Sequence, residues 1–542
     1  MRRSLGILEK GALLWGCSLC LLLAGCNQDT SRQQNGVVYC VESAPTSMNP
    51  QLYGSGTLGS SLSHQLYDRL LTVNPLSQRL EGALATQWSI SRDGLTYTFT
   101  LRKGVQFHRV DWFIPSRDFN ADDVLFSFNR IRYPYHPYHD ISGGRYPFFE
   151  NSGFSQQIRD IRKLSDQQIQ FELKAPNASF LATLASDYAV ILSAEYAQQL
   201  LLSGQPEQLD LLAVGTGPFK QQEFRSNEFI RLHRNPLYWD RTATLERLAF
   251  DYTPRPTKRL AKLLTGECQV MAYPAASQLE FIREQPQLIL DEESGLNTAF
   301  LALNVQKKPF TDRRVRQAIA MGINRDNLLK AVYFGTGEWA SSLLPPISWA
   351  HNPNLSDYDY DPQAARALLK KAGLEAGFEM TLWVQPSAQA YNPNAQKTAQ
   401  LIQSDLAKLG IQVRLVQLRW PLMQSLLQEG RHDAVIMGWS ADTADPDSFF
   451  RPLLSCPADN HQGGNFSGWC QPQFDRLLAE AIGTTRMARR IAAYQQMQEL
   501  INQEVPLIPL AHSLYLYAGR KDLHNLELTP MGGLSFKRAY RD

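Results

Sequence analysis

Between residues 378 and 439 the sequence reads strand, helix, strand, helix, strand, and no other stretch restricts the fold so tightly. FEMTLWV alternates Phe378, Met380, Leu382 and Val384, the two-residue period of a strand. A helix is expected from about 394 to 409 with Gly410 as its stop, then the strand IQVRLV, a short helix near 420–429, and the strand DAVIMGW. That order is the signature of a parallel sheet with crossover helices, an α/β fold. In open α/β sheets ligands bind outside the carboxyl ends of the strands. Gly438, Trp439 and the loop beyond them are therefore expected at a site.

Other segments agree with a large mixed architecture. YTFTLRKGVQF alternates Tyr97, Phe99 and Leu101 and turns at Lys103-Gly104, and Asn120-Ala121-Asp122-Asp123 caps a helix carrying Val124, Phe128 and Ile131. FLALNV at 300–305 is strand-like, and Thr311 or Asp312 starts a helix through Val315, Ala318 and Ile319. Asp361-Pro362 is a capping residue followed by a first-turn proline.

The loop after Trp439 holds Asp442, Asp445 and Asp447. As a calcium loop it fails: counting from Asp442, Ala444 and Pro446 take ligand positions, the sixth residue is not glycine, and Leu453 is twelfth. Catalysis has no accompanying nucleophile motif, since neither G-x-S-x-G nor H-E-x-x-H occurs. No metal and no cofactor is expected. Asp445-Pro446-Asp447 reads as a solvated turn in which Asp447 caps the next helix. Asp442 differs, because a carboxylate three residues from an indole suits an ammonium through a charge-assisted hydrogen bond and a cation–π face. The plain alternative for Asp442 is a surface-loop acid.

The chain opens with basic MRRSLGILEK and an apolar run, GALLWGCSLCLLLAG, the layout of a secretory leader over 1–25. Leu23-Ala24-Gly25-Cys26 resembles a bacterial lipobox, in which the Cys26 thiol is acylated. Residues 26–36 then form a lipidated tether reaching at most about 35 Å. Three of the 54 basic and one of the 52 acidic residues fall in the leader, which leaves 51 of each. A formal charge of zero argues against a nucleic-acid partner. Asn27 is not the aspartate associated with inner-membrane retention, so either membrane remains open for the anchor.

Cys40, Cys268, Cys456 and Cys470 remain. In an oxidising compartment two disulfides with three connectivities are possible. Cys456–Cys470 would close a short loop, worth about 3 kcal/mol in the chain-entropy model, and Cys40 would then pair with Cys268. A four-thiolate metal site is the alternative. Roughly 515 residues exceed one core, so two or three domains are expected.

A set of ordered motifs carries a resemblance over almost the whole mature chain. They are Val38-Tyr39-Cys40 with Asn49-Pro50-Gln51, Phe99-Thr100-Leu101-Arg102-Lys103-Gly104-Val105, Asn120-Ala121-Asp122-Asp123-Val124, Gly215-Thr216-Gly217-Pro218-Phe219, Val315-Arg316-Gln317-Ala318, Tyr360-Asp361-Pro362, Tyr391-Asn392-Pro393-Asn394-Ala395, and Met437-Gly438-Trp439. They resemble the periplasmic oligopeptide- and dipeptide-binding proteins of ABC importers (solute-binding family 5). Asp111-Trp112-Phe113, LLTGEC at 263–268, YPAASQL at 273–279 and Phe450-Arg451-Pro452-Leu453-Leu454 look like the branch linked to antimicrobial-peptide resistance.

The resemblance implies a monomeric, non-enzymatic receptor: a two-lobed, type II periplasmic-binding-protein clamshell with an extra subdomain in its first lobe. Lobe one would cover 36–294 and 513–542, with the subdomain at about 67–216, and lobe two 295–512. It implies the disulfides Cys40–Cys268 and Cys456–Cys470, Asp442 as holder of the peptide's α-ammonium, Gly438 as a source of backbone groups, and Tyr391 at the carboxyl end. Ser55-Gly56-Thr57 matches a ligand-contacting segment of the opposite lobe. Its partners would be a peptide, a permease and an ATPase on other chains, and the membrane through the lipid anchor.

One position departs from the pattern. Dipeptide-binding relatives place an arginine two residues before the tyrosine, for the peptide carboxylate, and here that residue is Gln389. A buried carboxylate without a charged partner is costly, so longer peptides, amides or a non-peptide cation fit better, unless Arg419 or Arg451 supplies the charge. The rival function is a surface lipoprotein that binds haem, polyamine or host peptides as scavenger or decoy.

Overall fold

The computed structural model describes residues 35–43, 46–53, 57–74, 79–386, 388–456, 464–529 and 531–542. Cys26, Ser55 and Gly56 lie outside the described residues, as do the leader and tether up to residue 34; Thr57 opens the helix Thr57–Leu66, but its side chain lies outside the description.

Twelve strands form the large sheet: β1 Gly36–Val41, β2 Phe219–Arg225, β3 Phe229–Arg234, β4 Arg247–Tyr252, β5 Val270–Ala272, β6 Leu288–Ser294, β7 Asn297–Leu303, β8 Gly337–Trp339, β9 Glu379–Val384, β10 Gln412–Gln417, β11 Ala434–Ser440 and β12 Leu507–Arg520. Their order is β10-β9-β11-β7-β12-β5-β1-β4-β3-β2, with β6 and β8 also paired to β12. As the 378–439 pattern requires, β9 is parallel to β10 and to β11. The crossovers are helices α1 Ala395–Ala407 and α2 Trp420–Gln428.

The sheet is nevertheless mixed and not all-parallel, because β7 is antiparallel to both β11 and β12. A strand that enters from the other half of the molecule has no helix of its own to return it, so nothing enforces the parallel direction. All seven residues of β7 are buried, as expected of a strand covered on both faces.

The two-lobed shape follows from how the chain crosses between cores. One core gathers buried residues from 37 to 272 and from 517 to 539. Two others are built from residues 296 to 511 and flank the β7-β11-β9 region. Two connections run between these groups. One is the turn from β6 to β7 at Gly295-Leu296, and the other is β12, which pairs with β7 over Leu507–Ala511 and with β6 over Leu514–Arg520. Asn297 ties them: its Nδ2 donates to the Ser513 carbonyl at 2.7 Å and its Oδ1 accepts from the Ser513 N–H at 2.9 Å. Gly295 is needed here, since a Cβ would fall 2.7 Å from the Tyr515 ring.

Within the first lobe, an antiparallel sheet of Ala85–Ile90, Thr96–Leu101, Gln168–Leu173 and Ile158–Ser165 packs on the helix Ala121–Arg132. Asn120 and Asp123 form the expected capping box for that helix. Phe99, Phe128 and Phe171 meet edge to face beneath it. Each such ring contributes about 1.5–3 kcal/mol by leaving water. Cys40 is bonded to Cys268, tying β1 to the residues before β5, and Cys456 is bonded to Cys470. No helix among the described residues is long and apolar enough to cross a membrane.

Candidate functional site

β11 delivers Asp442 to the boundary between the lobes. Its residues are buried through Gly438, and one further ladder bond, from the Ala441 N–H to the Leu296 carbonyl at 2.7 Å, fixes the chain just past the strand. Asp442 follows at once. Its residue is only 9% exposed, yet its carboxyl makes no hydrogen bond or ion pair among the described residues. Burial alone pushes that carboxyl up to about 8. Its charge is felt by Tyr188 of the first lobe and by Tyr515 of β12, both buried and both pushed above the ordinary phenol range chiefly by burial. A carboxyl so placed is costly to ionise until a cation arrives.

Beside it lies a small, partly open cavity. One wall comes from the second lobe and includes Trp439, Asp442, Asp447 and Arg451; the other comes from the first lobe and includes Phe148, Asn151, Asn177 and Ser179. The Trp439 indole N–H donates to the Ser448 carbonyl at 2.7 Å, which fixes the ring at the cavity wall. The Arg451 Nε donates to Asp447 Oδ2 at 3.0 Å, and its Nη2 lies 2.8 Å from Oδ1. Of the two arginines the sequence offered as a substitute charge, Arg451 lines this cavity. Arg419 is exposed at the start of α2 and is not part of the wall.

The expectation of a solvated Asp445-Pro446-Asp447 turn is overturned. Asp445 is buried, and accepts from Arg490 Nη2 at 2.7 and 2.9 Å, from the Tyr494 hydroxyl at 3.2 Å and from the Ser179 hydroxyl at 3.0 Å. Arg490 belongs to helix α3, Met487–Glu504, 45 residues further along the chain, so local sequence carries no sign of it. Asp447 does not cap the next helix, Asp447–Leu454: Pro446 holds that position without a side-chain cap, and Asp447 sits in the first turn, where a negative charge suits the helix dipole.

Ser179 belongs to the first lobe, so its bond to Asp445 crosses the boundary. A second crossing bond runs from the Ala178 N–H to the Ile482 carbonyl at 2.7 Å. The two lobes are in contact beside the cavity.

Gly438 and Tyr391 are brought together on the opposite face of β11 from Trp439. A Cβ on Gly438 would fall on the Tyr391 ring, so only glycine allows that ring to lie against the strand. Tyr333 donates to the Tyr391 carbonyl at 2.9 Å, and burial raises the Tyr391 phenol above its usual range. Gln389 exchanges two backbone bonds of 3.0 Å with Asn392, and its Nε2 reaches Gln385 at 3.4 Å. Neither Tyr391 nor Gln389 lines the cavity beside Asp442. Sequence reasoning missed the roles of Tyr188 and Ser179, which stand more than 250 residues before Asp442; Ser179 ends only a chance glycosylation sequon, Asn177-Ala178-Ser179. Among the described residues no group of three or more His, Cys, Asp or Glu is placed to hold a metal ion.

Residues 79–461 match the bacterial extracellular solute-binding proteins, family 5, middle region. The chain is 44% identical over 510 residues to the peptide transport periplasmic protein SapA of Salmonella typhimurium, covering 94% of this chain and 92% of that one. It is 40% identical over 506 residues to heme-binding protein A of Haemophilus influenzae, covering 91% and 92%. The solved dipeptide binding protein of Pseudoalteromonas sp. SM9913, in complex with Met-Leu, superposes with a TM-score of 0.84 at 42% identity, covering 94% of this chain and all of that one.

Proposed function

The chain belongs to the bacterial extracellular solute-binding proteins of family 5, and from that premise we propose that it captures peptides between its lobes and delivers them to an ABC permease. Members of this family are transport binding proteins and not enzymes. The observation that carries the reading is Asp442: a carboxyl buried at the lobe boundary, lacking a protein partner among the described residues, beside a fixed indole. A peptide's α-ammonium supplies the missing charge. Gly438 offers backbone groups and Tyr391 a ring toward the carboxyl end, with Ser55, Gly56 and Thr57 contributing from the first lobe.

The lobes divide, in this proposal, into 36–294 with 513–542, and 295–512; the β6-to-β7 turn and β12 act as the hinge. A ligand touching both surfaces favours closure, and closure is what the permease reads. The working site is the periplasm, with the chain held to a membrane by a lipid on Cys26, and the physiological setting is resistance to antimicrobial peptides. The peptide transport periplasmic protein SapA supports the peptide reading and the periplasm by its similarity. The heme-binding relative supports one rival, in which the same cleft takes haem.

Calorimetric titration with a dipeptide and with its N-acetylated form tests the proposal. We expect micromolar binding of the free amine, about −8 kcal/mol, and none of the acetylated form. Equal binding of both, or tight binding of haem with peptides ignored, overturns it.

A further inference from the structure

Three successive residues of the first lobe, Asn177, Ala178 and Ser179, meet the second lobe beside the loop that carries Asp442, and their presentation is fixed from the first lobe's own core. The Tyr97 hydroxyl donates to the Asn177 carbonyl at 2.9 Å, the Ser179 N–H donates to the Asn177 Oδ1 at 2.9 Å, and the Phe180 ring that follows packs among Tyr97, Phe154 and Phe171. Ser179 stands at the start of the helix Phe180–Leu184, where a serine hydroxyl ordinarily caps, yet it makes no capping bond. The hydroxyl is turned across the boundary instead.

The second lobe meets these residues with two groups that its own structure leaves incomplete. One is the Ile482 carbonyl at the end of the helix Pro472–Ile482. The last four carbonyls of a helix have no partner within it, and here the Ala178 N–H donates to this one at 2.7 Å. The other is the ion pair of Asp445 and Arg490, each 6% exposed. A buried ion pair is favourable only when further hydrogen bonds surround both ions. Arg490 has the Ala481 carbonyl at 2.9 Å and the Trp349 ring at 5.0 Å, and Asp445 has the Tyr494 hydroxyl. Ser179 completes the shell from the other lobe: its hydroxyl donates to Asp445 Oδ1 at 3.0 Å and accepts from Arg490 Nη2 at 3.2 Å. A hydroxyl has a single proton, so Ser179 has none left to give to a ligand.

We propose that Asn177-Ala178-Ser179 is a latch that holds the closed lobes together independently of the ligand, so that it lengthens the life of every closed complex by the same factor. The inference rests on the reading above that ligand binding and closure go together. When the lobes part, water replaces the contacts of Ala178 and Ser179; when they close, both contacts are regained whatever lies between the lobes. The latch therefore acts on release and not on capture. Its second-lobe half also frames the anchor loop, since Arg490 holds Asp445 and the Trp349 indole donates to the Ala444 carbonyl at 3.2 Å, just past Asp442.

Stopped-flow kinetics of Leu-Leu and Gln-Leu on the wild type, Ser179→Ala and Ser179→Thr test the latch, together with amide exchange of residues 177–180. Ser179→Ala speeds the release of both dipeptides by about tenfold and leaves their association within about twofold of the wild type. Ser179→Thr keeps the hydroxyl and restores slow release. In the bound wild type the 177–180 amides exchange slowly, and Ser179→Ala makes them exchange faster. Unchanged release in Ser179→Ala overturns the latch, and so does fast release from a folded Ser179→Thr. A loss for one dipeptide and none for the other also overturns it, because Ser179 is then a ligand contact. If Ser179→Thr does not fold, the equal or unequal loss of the two dipeptides in Ser179→Ala decides. If neither dipeptide binds any of the proteins, the peptide reading fails, and amide exchange of the empty wild type and empty Ser179→Ala decides the latch: faster exchange in the variant supports it, and equal exchange overturns it.

Discussion

Asp442→Asn lowers the affinity for a free-amine peptide by at least about 30-fold and at the same time makes the empty protein more stable at alkaline pH. Removing one partner of a buried, hydrogen-bonded charge pair costs about 2–5 kcal/mol of binding, which is roughly 30-fold to several-thousand-fold. The stability change has the opposite sign for a definite reason. The Asp442 carboxyl of the folded, empty protein titrates at about 8, far above the ordinary 3.8, because of burial. The folded state therefore holds a proton that the unfolded state has lost between those values. Stability from this group is fully present below pH 3.8 and is lost as pH rises toward 8. An asparagine carries no such loss, so the variant's advantage grows between pH 5 and pH 9. Denaturant unfolding of both proteins across that range, beside calorimetry of binding, checks both halves. Unchanged affinity removes Asp442 from the site.

The affinity of the wild type rises about tenfold per pH unit from pH 5 to 7, reaches a maximum near pH 8, and falls above it. Below 8 the empty site is protonated, and the ammonium displaces that proton, so binding at pH 7 releases protons to the buffer. Above 8 the peptide's own amine, with a reference value of about 7.7–8.0, loses the charge that the site requires. Titrations at pH 7 in two buffers of different ionisation enthalpy give apparent binding heats that differ by the proton released. Asp442→Asn abolishes the acid limb. Equal heats in both buffers, with affinity flat from pH 5 to 7, would show that Asp442 is ionised before the ligand arrives.

Parts of this architecture were legible because they are local. The alternation of Phe378, Met380, Leu382 and Val384, the helix caps at Asn120 and Asp361, and the parallel pairing of β9 with β10 and β11 follow from neighbours in sequence. So does the position of Asp442 past a strand end. The antiparallel place of β7 was not legible, since its partner β12 begins some 200 residues later. Asp445 and Asp442 make the same point within one loop. Both are buried acids three residues apart; Arg490 closes one into an ion pair, and nothing described closes the other. Only the fold brings Arg490, Ser179 and Tyr188 to that loop, and so only the fold tells the structural acid from the one that waits for a ligand.

The central claim is that the closed lobes hold a peptide by its ammonium. Protein purified from its native compartment and weighed under non-denaturing conditions tests it most directly. A spread of added masses, each matching a short peptide with a free amine, is the predicted result. A single added mass of haem or a polyamine, or an empty protein that also ignores peptide mixtures, would contradict it.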